Sequence, residues 1–326
     1  MAGSLPTPGF AGEEPAAAAA AESGDQGWWH SGYLWDYGVT LASFGTYLVA
    51  RHATPADEAL VGPSFDPSDP EAILAPGLAD RLGRRHLTKG EEETVPTSAV
   101  ATAVPLTAAY LALQCAALNW MGADAGWPEV HDAALGALES AAITAAAVTA
   151  LKLTFGRLRP DFQDRLRRHR CNGGGGLPPD ECVGQEGRTL ASDPDEAEEI
   201  LEDGRRSFPS GHAATSFALA TYASLLTGGQ LVWGGSATPA RRVTGIALQT
   251  VMLGAAGFVA ASRLDDGRHH MSDVVAGAAL GIGAANLVYW RHFDATGRRR
   301  DRRATGAQVS VVPSPAGVGL ALLVRH

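Results

Sequence analysis

Six stretches of this chain are nearly free of charge, and each approaches the length needed to cross a bilayer core: 33–50, 97–118, 133–153, 213–227, 243–261 and 273–290. The fourth is the shortest. A chain that must bury or immerse six such stretches can fold in few ways, and the pattern predicts an all-α bundle of six transmembrane helices. Several segments are rich in Ala and Gly rather than Leu. Small side chains let helices approach closely in lipid, which suits a tight bundle. Glu139 sits inside the third segment and is expected to face the bundle interior. Trp28, Trp29, Tyr33, Trp35 and Tyr37 crowd the start of the first segment, and Tyr289 and Trp290 close the last, as interfacial belts do. The competing reading, a soluble all-α domain with six buried helices, does not account for that aromatic placement.

The segments divide the 326 residues into a tail at 1–32, a helical domain at 33–291 and a basic stretch at 292–326. The tail is rich in Gly, Pro and Ala, and such a composition is expected to be disordered. The first 33 residues of the chain hold no Lys or Arg, and the run at 16–21 is too short for a cleavable signal. The net charge of −9 argues against a nucleic-acid-binding surface. Cys171 and Cys182 flank a Gly-rich stretch, which leaves open either a loop disulfide or two unrelated thiols; Cys115 lies in an apolar run. The acidic run from Asp193 to Asp203 reads as a solvated helix rather than a cation site. Residues 308–324 alternate around Pro313 and Pro315, a pattern that fits a small hairpin.

Chemistry concentrates at the ends of the apolar segments. The first cluster is Lys152-x6-Arg159-Pro160, the second Pro209-Ser210-Gly211-His212, and the third Ser262-Arg263-x5-His269-x3-Asp273. Lys152 ends the third segment; two helical turns carry the chain to Arg159, and Pro160 is expected to stop the helix. Ser210 is a good helix cap, and the free amides of a helix N-terminus attract anions. Gly211 allows close approach of the backbone, and His212 is placed to pass a proton to a leaving oxygen. Ser262-Arg263 ends the fifth segment, which predicts a surface charge. His269 and Asp273 are expected on one face of the sixth helix, with the carboxylate fixing the imidazole tautomer. Taken singly, snorkelling cations, an ordinary cap and a structural His–Asp pair would explain each cluster. Together they supply the cations, imidazoles and amides that a phosphoryl group in transit requires. Parity brings them together: two crossings separate the second cluster from the third, so six spans place all three on one rim.

These three motifs resemble the signature of the type 2 phosphatidic acid phosphatase superfamily, with every signature position present between Lys152 and Asp273. The wording Gly156-Arg157-Leu158-Arg159-Pro160 and Asp266-Gly267-Arg268-His269-His270 is similar to that of membrane lipid phosphate phosphatases. The resemblance implies that His269 attacks phosphorus to form a phosphohistidine, that Asp273 orients it, and that His212 protonates the leaving alcohol and then helps water. It implies that Lys152, Arg159, Ser210, Gly211 and Arg263 hold the phosphate oxygens, with no metal and no cofactor. The implied partners are a bilayer and a lipid phosphate, such as phosphatidic acid or an isoprenyl diphosphate. A vanadium haloperoxidase, a soluble periplasmic acid phosphatase and a non-catalytic lipid carrier are the rival classes. The arginines from Arg291 to Arg303 place the C-terminal stretch inside by the positive-inside rule, and the clusters outside.

Overall fold

The computed structural model describes residues 32–53, 55, 93–122, 126–162, 165, 199, 201–235, 237–300, 307–314 and 317–324. The tail before residue 32, most of the connections after residues 53 and 165, and the pair Cys171 and Cys182 lie outside them.

Six long helices account for most of the described chain: α1 Gly32–Ala50, α2 Thr97–Trp120, α3 Trp127–Phe155, α4 Gly211–Thr227, α5 Pro239–Asp265 and α6 Met271–His292. A π-helical turn, Gly228–Trp233, extends α4. Strands β1 (Ala307–Ser314) and β2 (Gly317–Val324) pair antiparallel as a hairpin after the bundle.

Local chemistry sets the helix ends. Glu129 accepts the Gly126 N–H at 2.8 Å and Pro128 sits in the first turn, so α3 begins before the apolar stretch does. Gly156 ends α3 in the left-handed region at φ 55°, a conformation that favours glycine. Ser210 caps α4, with its Oγ accepting from the Ala213 amide at 3.4 Å. Thr238 does the same for α5, accepting from Arg241 N at 3.3 Å. The Asp273 carboxylate accepts the His270 N–H at 2.9 Å and so caps α6 from within.

α4 is the central helix, in contact with α2, α3, α5 and α6. Its inward neighbours are small. A Cβ at Gly277 or Gly281 of α6 would strike the carbonyl oxygens of Ser210 and Ala214, and one at Gly136 of α3 would strike the Tyr222 hydroxyl. These glycines, a G-x-x-x-G pair among them, let the three backbones close on one another. Leu111, Cys115, Tyr222, Leu226, Val288, Tyr289 and Phe293 fill the core toward the far end.

The outside of the bundle is apolar. Leu41, Leu113, Val243, Val251, Phe258 and Leu287 are among its exposed large side chains. Four helices, α2, α3, α5 and α6, are long and apolar enough to cross a membrane, and only 17% of the apolar window of α5 is buried inside the protein. A hydrophobic face of that extent suits lipid as its solvent. The count of helices passing this criterion is four, below the six expected, because α4 is short and rich in Ala, Ser and Thr and α1 carries an acid and several polar groups.

Three carboxylates buried within the bundle are paired. Glu139 is 2% exposed and its Oε2 lies 2.8 Å from His292 Nε2, facing the interior as its position demands. Asp36 pairs with Arg291 at 2.7 Å, and Asp132 with Arg299 at 2.7 Å. These pairs tie α1, α3 and the end of α6 together away from the helix ends that carry the three motifs.

Candidate active site

The C-terminal ends of α3 and α5 and the N-terminal ends of α4 and α6 meet at one rim. A cavity of about 680 Å³ opens there, lined by Lys152, Arg159, Gly211, His212, Arg263 and His269. Ser210 and Asp273, both 0% exposed, stand behind that lining. All the residues singled out from the three motifs therefore meet in one small region, and Ser210 does so as the α4 cap.

The route by which Arg159 arrives differs from the expectation. The helix ends at Phe155, not at Pro160, because Gly156 takes the left-handed conformation and turns the chain. Residues 157–159 then run beside residues 204–207, with the Arg159 amide bonded to Gly204 O at 2.8 Å and Ser207 N to Arg157 O at 2.9 Å. Arg159 Nη2 pairs with Asp203 Oδ1 at 2.8 Å, and Arg165 reaches the other oxygen at 3.1 Å. Asp203 thus lines the cavity from a helical turn, with 45% of its side chain still exposed. Burial alone would raise its carboxyl, but Arg159 and Arg165 outweigh that and hold it well below the usual carboxylate range. Lys152 comes directly from the last turn of α3. A Cβ at Gly211 would sit 3.9 Å from Lys152 Nζ, so the bare glycine leaves the space in front of the amine open.

His269 precedes α6 rather than riding on it, since the N-cap is His270. Its Nδ1 lies 2.7 Å from the carbonyl oxygen of Ser207 and 3.7 Å from Asp273 Oδ2. A carbonyl can only accept, so Nδ1 carries the proton and Nε2 keeps its lone pair. Ser207 O is the nearer partner of this imidazole, and Asp273 stands beside it at ion-pair distance. Asp273 also accepts from Arg157 Nη1 at 2.8 Å, Ser207 Oγ at 2.5 Å and the His270 amide at 2.9 Å. It holds the segment that holds the imidazole. Burial pushes His269 down to about 4, with the neighbouring Asp273 opposing and Arg159 adding to the fall. The ring is therefore neutral at ordinary pH. His270 turns away, its Nε2 3.1 Å from Leu158 O.

Arg263 is 0% exposed, which corrects the expected surface charge: α5 continues past it to Asp265, and the guanidinium is folded onto Asp266 Oδ2 at 2.6 Å. Its Nη1 and His212 Nε2 are buried and make no hydrogen bond among the described residues; both face the Glu93 carboxylate at ion-pair distance. A buried guanidinium and an imidazole aimed at one space suit an anion pocket.

Arg157, Ser207, Asp203, Asp266 and Glu93 were not assigned roles from sequence. Arg157 lies two residues before Arg159, and a buried carboxylate in the third motif needs a counter-charge. Ser207 and Glu93 carried no signal, because polar connections have no periodicity to read.

Residues 133–296 match the family model described as the PAP2 superfamily, a span of half the chain. The chain is 32% identical over 159 residues to the probable diacylglycerol pyrophosphate phosphatase 1 of Schizosaccharomyces pombe, covering 49% of this chain and 53% of that protein. It is 39% identical over 143 residues to diacylglycerol pyrophosphate phosphatase 1 of Saccharomyces cerevisiae, covering 44% and 45%. It is 31% identical over 167 residues to lipid phosphate phosphatase 2 of Arabidopsis thaliana, covering 51% and 52%. The chain spans about half the length of these curated relatives. No solved structure matches it. Every side chain of the three motifs that converges on the cavity lies within the matched span, and the chain belongs to the PAP2 superfamily.

Proposed function

We propose that this chain is an integral membrane phosphatase that removes phosphate from a lipid monoester or diphosphate through a phosphohistidine, without a metal. The observation that carries the reading is the shape of the cavity. Its polar end holds the cations and the two imidazoles, and it continues between α1, α2 and α3 as an apolar furrow lined by Leu41, Phe44, Val100, Val104, Leu138 and Ala141. A polar head and a hydrocarbon tail would fit the two ends of one molecule. The names of the relatives, lipid phosphate and diacylglycerol pyrophosphate phosphatases, point the same way.

In this mechanism Lys152, Arg159, Arg263 and the Gly211 amide hold the non-bridging oxygens. Nε2 of His269 attacks phosphorus while the ester oxygen departs, and His212, which must enter the step as imidazolium beside the phosphate dianion, gives that oxygen its proton. Water then attacks the phosphohistidine, His212 takes the proton back, and the P–N bond breaks to release inorganic phosphate. The fixed cations meet the charge that develops on the transferring group. α1 and α4 complete six crossings, and the rim carrying Arg291, Arg298 and Arg299 faces the cytoplasm, so the cavity faces the exterior or periplasm.

The test is phosphate release by the detergent-solubilised chain from phosphatidate, isoprenyl diphosphates and a short soluble ester, alongside His269→Ala. Turnover should vanish in the variant together with the acid-labile, base-stable phosphoenzyme trapped from labelled substrate. Undiminished turnover in His269→Ala would remove the mechanism, and halide oxidation with vanadate in place of phosphate release would favour the haloperoxidase reading.

A further inference from the structure

Glu93 sits in the mouth of the cavity, on the short segment that leads into α2. Its Oε1 lies 3.3 Å from Arg263 Nη1 and its Oε2 lies 3.8 Å from His212 Nε2. These nitrogens reach the pocket from two different helices, and neither makes a hydrogen bond among the described residues. The next residue anchors the segment. Thr94 N and Oγ1 donate to the two oxygens of Asp266 at 3.0 and 2.6 Å, and Asp266 is the carboxylate that also grips Arg263. Glu93 is thus held against the pocket by the same loop that carries the third motif.

A carboxylate presents two oxygens sharing one negative charge, as one edge of a phosphoryl group does. Its distances to Arg263 and His212 exceed the roughly 2.7–2.9 Å of a charge-assisted hydrogen bond. It offsets the charge of Arg263 and faces His212 without seating tightly on either. With 23% of its side chain exposed, it has a path into water. A phosphate dianion and this carboxylate cannot both stand before Arg263 and His212, because like charges in a partly desolvated pocket repel strongly.

We propose that Glu93 is an affinity-setting residue of the phosphate pocket: its carboxylate occupies the anion position between turnovers, and an arriving phosphoryl group displaces it. The inference rests on the pocket being the phosphate site of the proposed function. Its consequence is weak retention of the product, since the returning carboxylate competes with inorganic phosphate for the same donors.

The experiment titrates inorganic phosphate calorimetrically into the full chain in detergent, for the wild type, Glu93→Gln and Glu93→Ala. Gln keeps the shape and Ala removes it, so an effect common to both reports the charge. Both variants should bind phosphate about tenfold more tightly, the scale of one displaced charge pair, with a matching fall in the inhibition constant of phosphate in turnover. Unchanged or weaker binding in both variants, with wild-type binding and turnover intact, overturns the role of Glu93 alone. No phosphate binding by any of the three, together with no lipid phosphate turnover, overturns the phosphate pocket itself and this inference with it.

Discussion

Nδ1 of His269 lies 2.7 Å from the backbone oxygen of Ser207, a full ångström nearer than the closest oxygen of Asp273 at 3.7 Å. A backbone acceptor cannot be deleted by changing its side chain. The tautomer of His269 should therefore survive substitution of either neighbour, and what Asp273→Asn removes is charge beside the imidazole and one acceptor for Arg157. We expect kcat to fall about 10²-fold in Asp273→Asn, short of the complete loss in His269→Ala. Ser207→Ala keeps the carbonyl and should cost only a few-fold. Single-turnover rates with labelled substrate measure all three, and an Asp273→Asn loss as deep as that of His269→Ala would show the carboxylate acting on the ring directly.

The pH dependence follows from burial. In the unfolded chain His269 titrates near 6.5 and in the folded protein at about 4, so between those values the unfolded state binds more protons. The stability attached to this group is fully present above about 6.5 and is lost as pH falls through about 4, a difference on the order of 3 kcal/mol. Asp203, also depressed, adds a loss at still lower pH. Denaturation midpoints should fall as pH drops from 6.5 toward 4, and His269→Asn should flatten that slope. In turnover, the acid limb of kcat/KM, where the attacking imidazole protonates, should lie near 4. An acid limb centred near 6.5 would contradict the buried, neutral ring.

Helix packing sets the distance between the two imidazoles. Gly281 and Gly277 let α6 lie against the backbone of α4, and α4 carries His212 while α6 follows His269. A methyl at Gly281 collides with the Ala214 carbonyl, so Gly281→Ala must push the helices apart. The expected result is a loss of roughly 1–3 kcal/mol in detergent stability and a kcat reduced at least tenfold. Gly283→Ala, two residues on, meets nothing within 4 Å and should be neutral or mildly stabilising. Equal behaviour of the two variants in thermal melts and turnover would detach catalysis from this packing.

What could be read from sequence, and what could not, divides along physical lines. Apolar length is dictated by the helix and the bilayer, so the ends of α2, α4 and α6 fall within three residues of the expected starts. Residues fixed to those ends, such as His212 on α4 and Asp273 on α6, are placed with them. Backbone conformation and tertiary pairing decide the rest. Gly156 stops α3 four residues before Pro160 because the left-handed conformation favours glycine. Arg263 is buried because Asp266 and Glu93 neutralise it, and neither partner is signalled by hydropathy. Ser207 acts through its backbone, which no residue-type pattern encodes.

The furrow gives the substrate reading its own test. Ala141 lies eleven residues before Lys152 on α3, about 16 Å down the helix axis from the polar end. A tail of a dozen carbons would pass it, whereas a short ester would not reach. Ala141→Trp places a large ring in that part of the cavity and leaves the cations and imidazoles untouched. We expect kcat/KM for a long-chain lipid phosphate to fall tenfold or more, with the value for a short water-soluble phosphate unchanged. Competition assays with both substrates in one detergent measure the ratio directly. A parallel fall for both would mean that the substitution damages the polar end. No fall for either would mean that hydrocarbon takes another path, and the lipid reading would lose the observation that carries it.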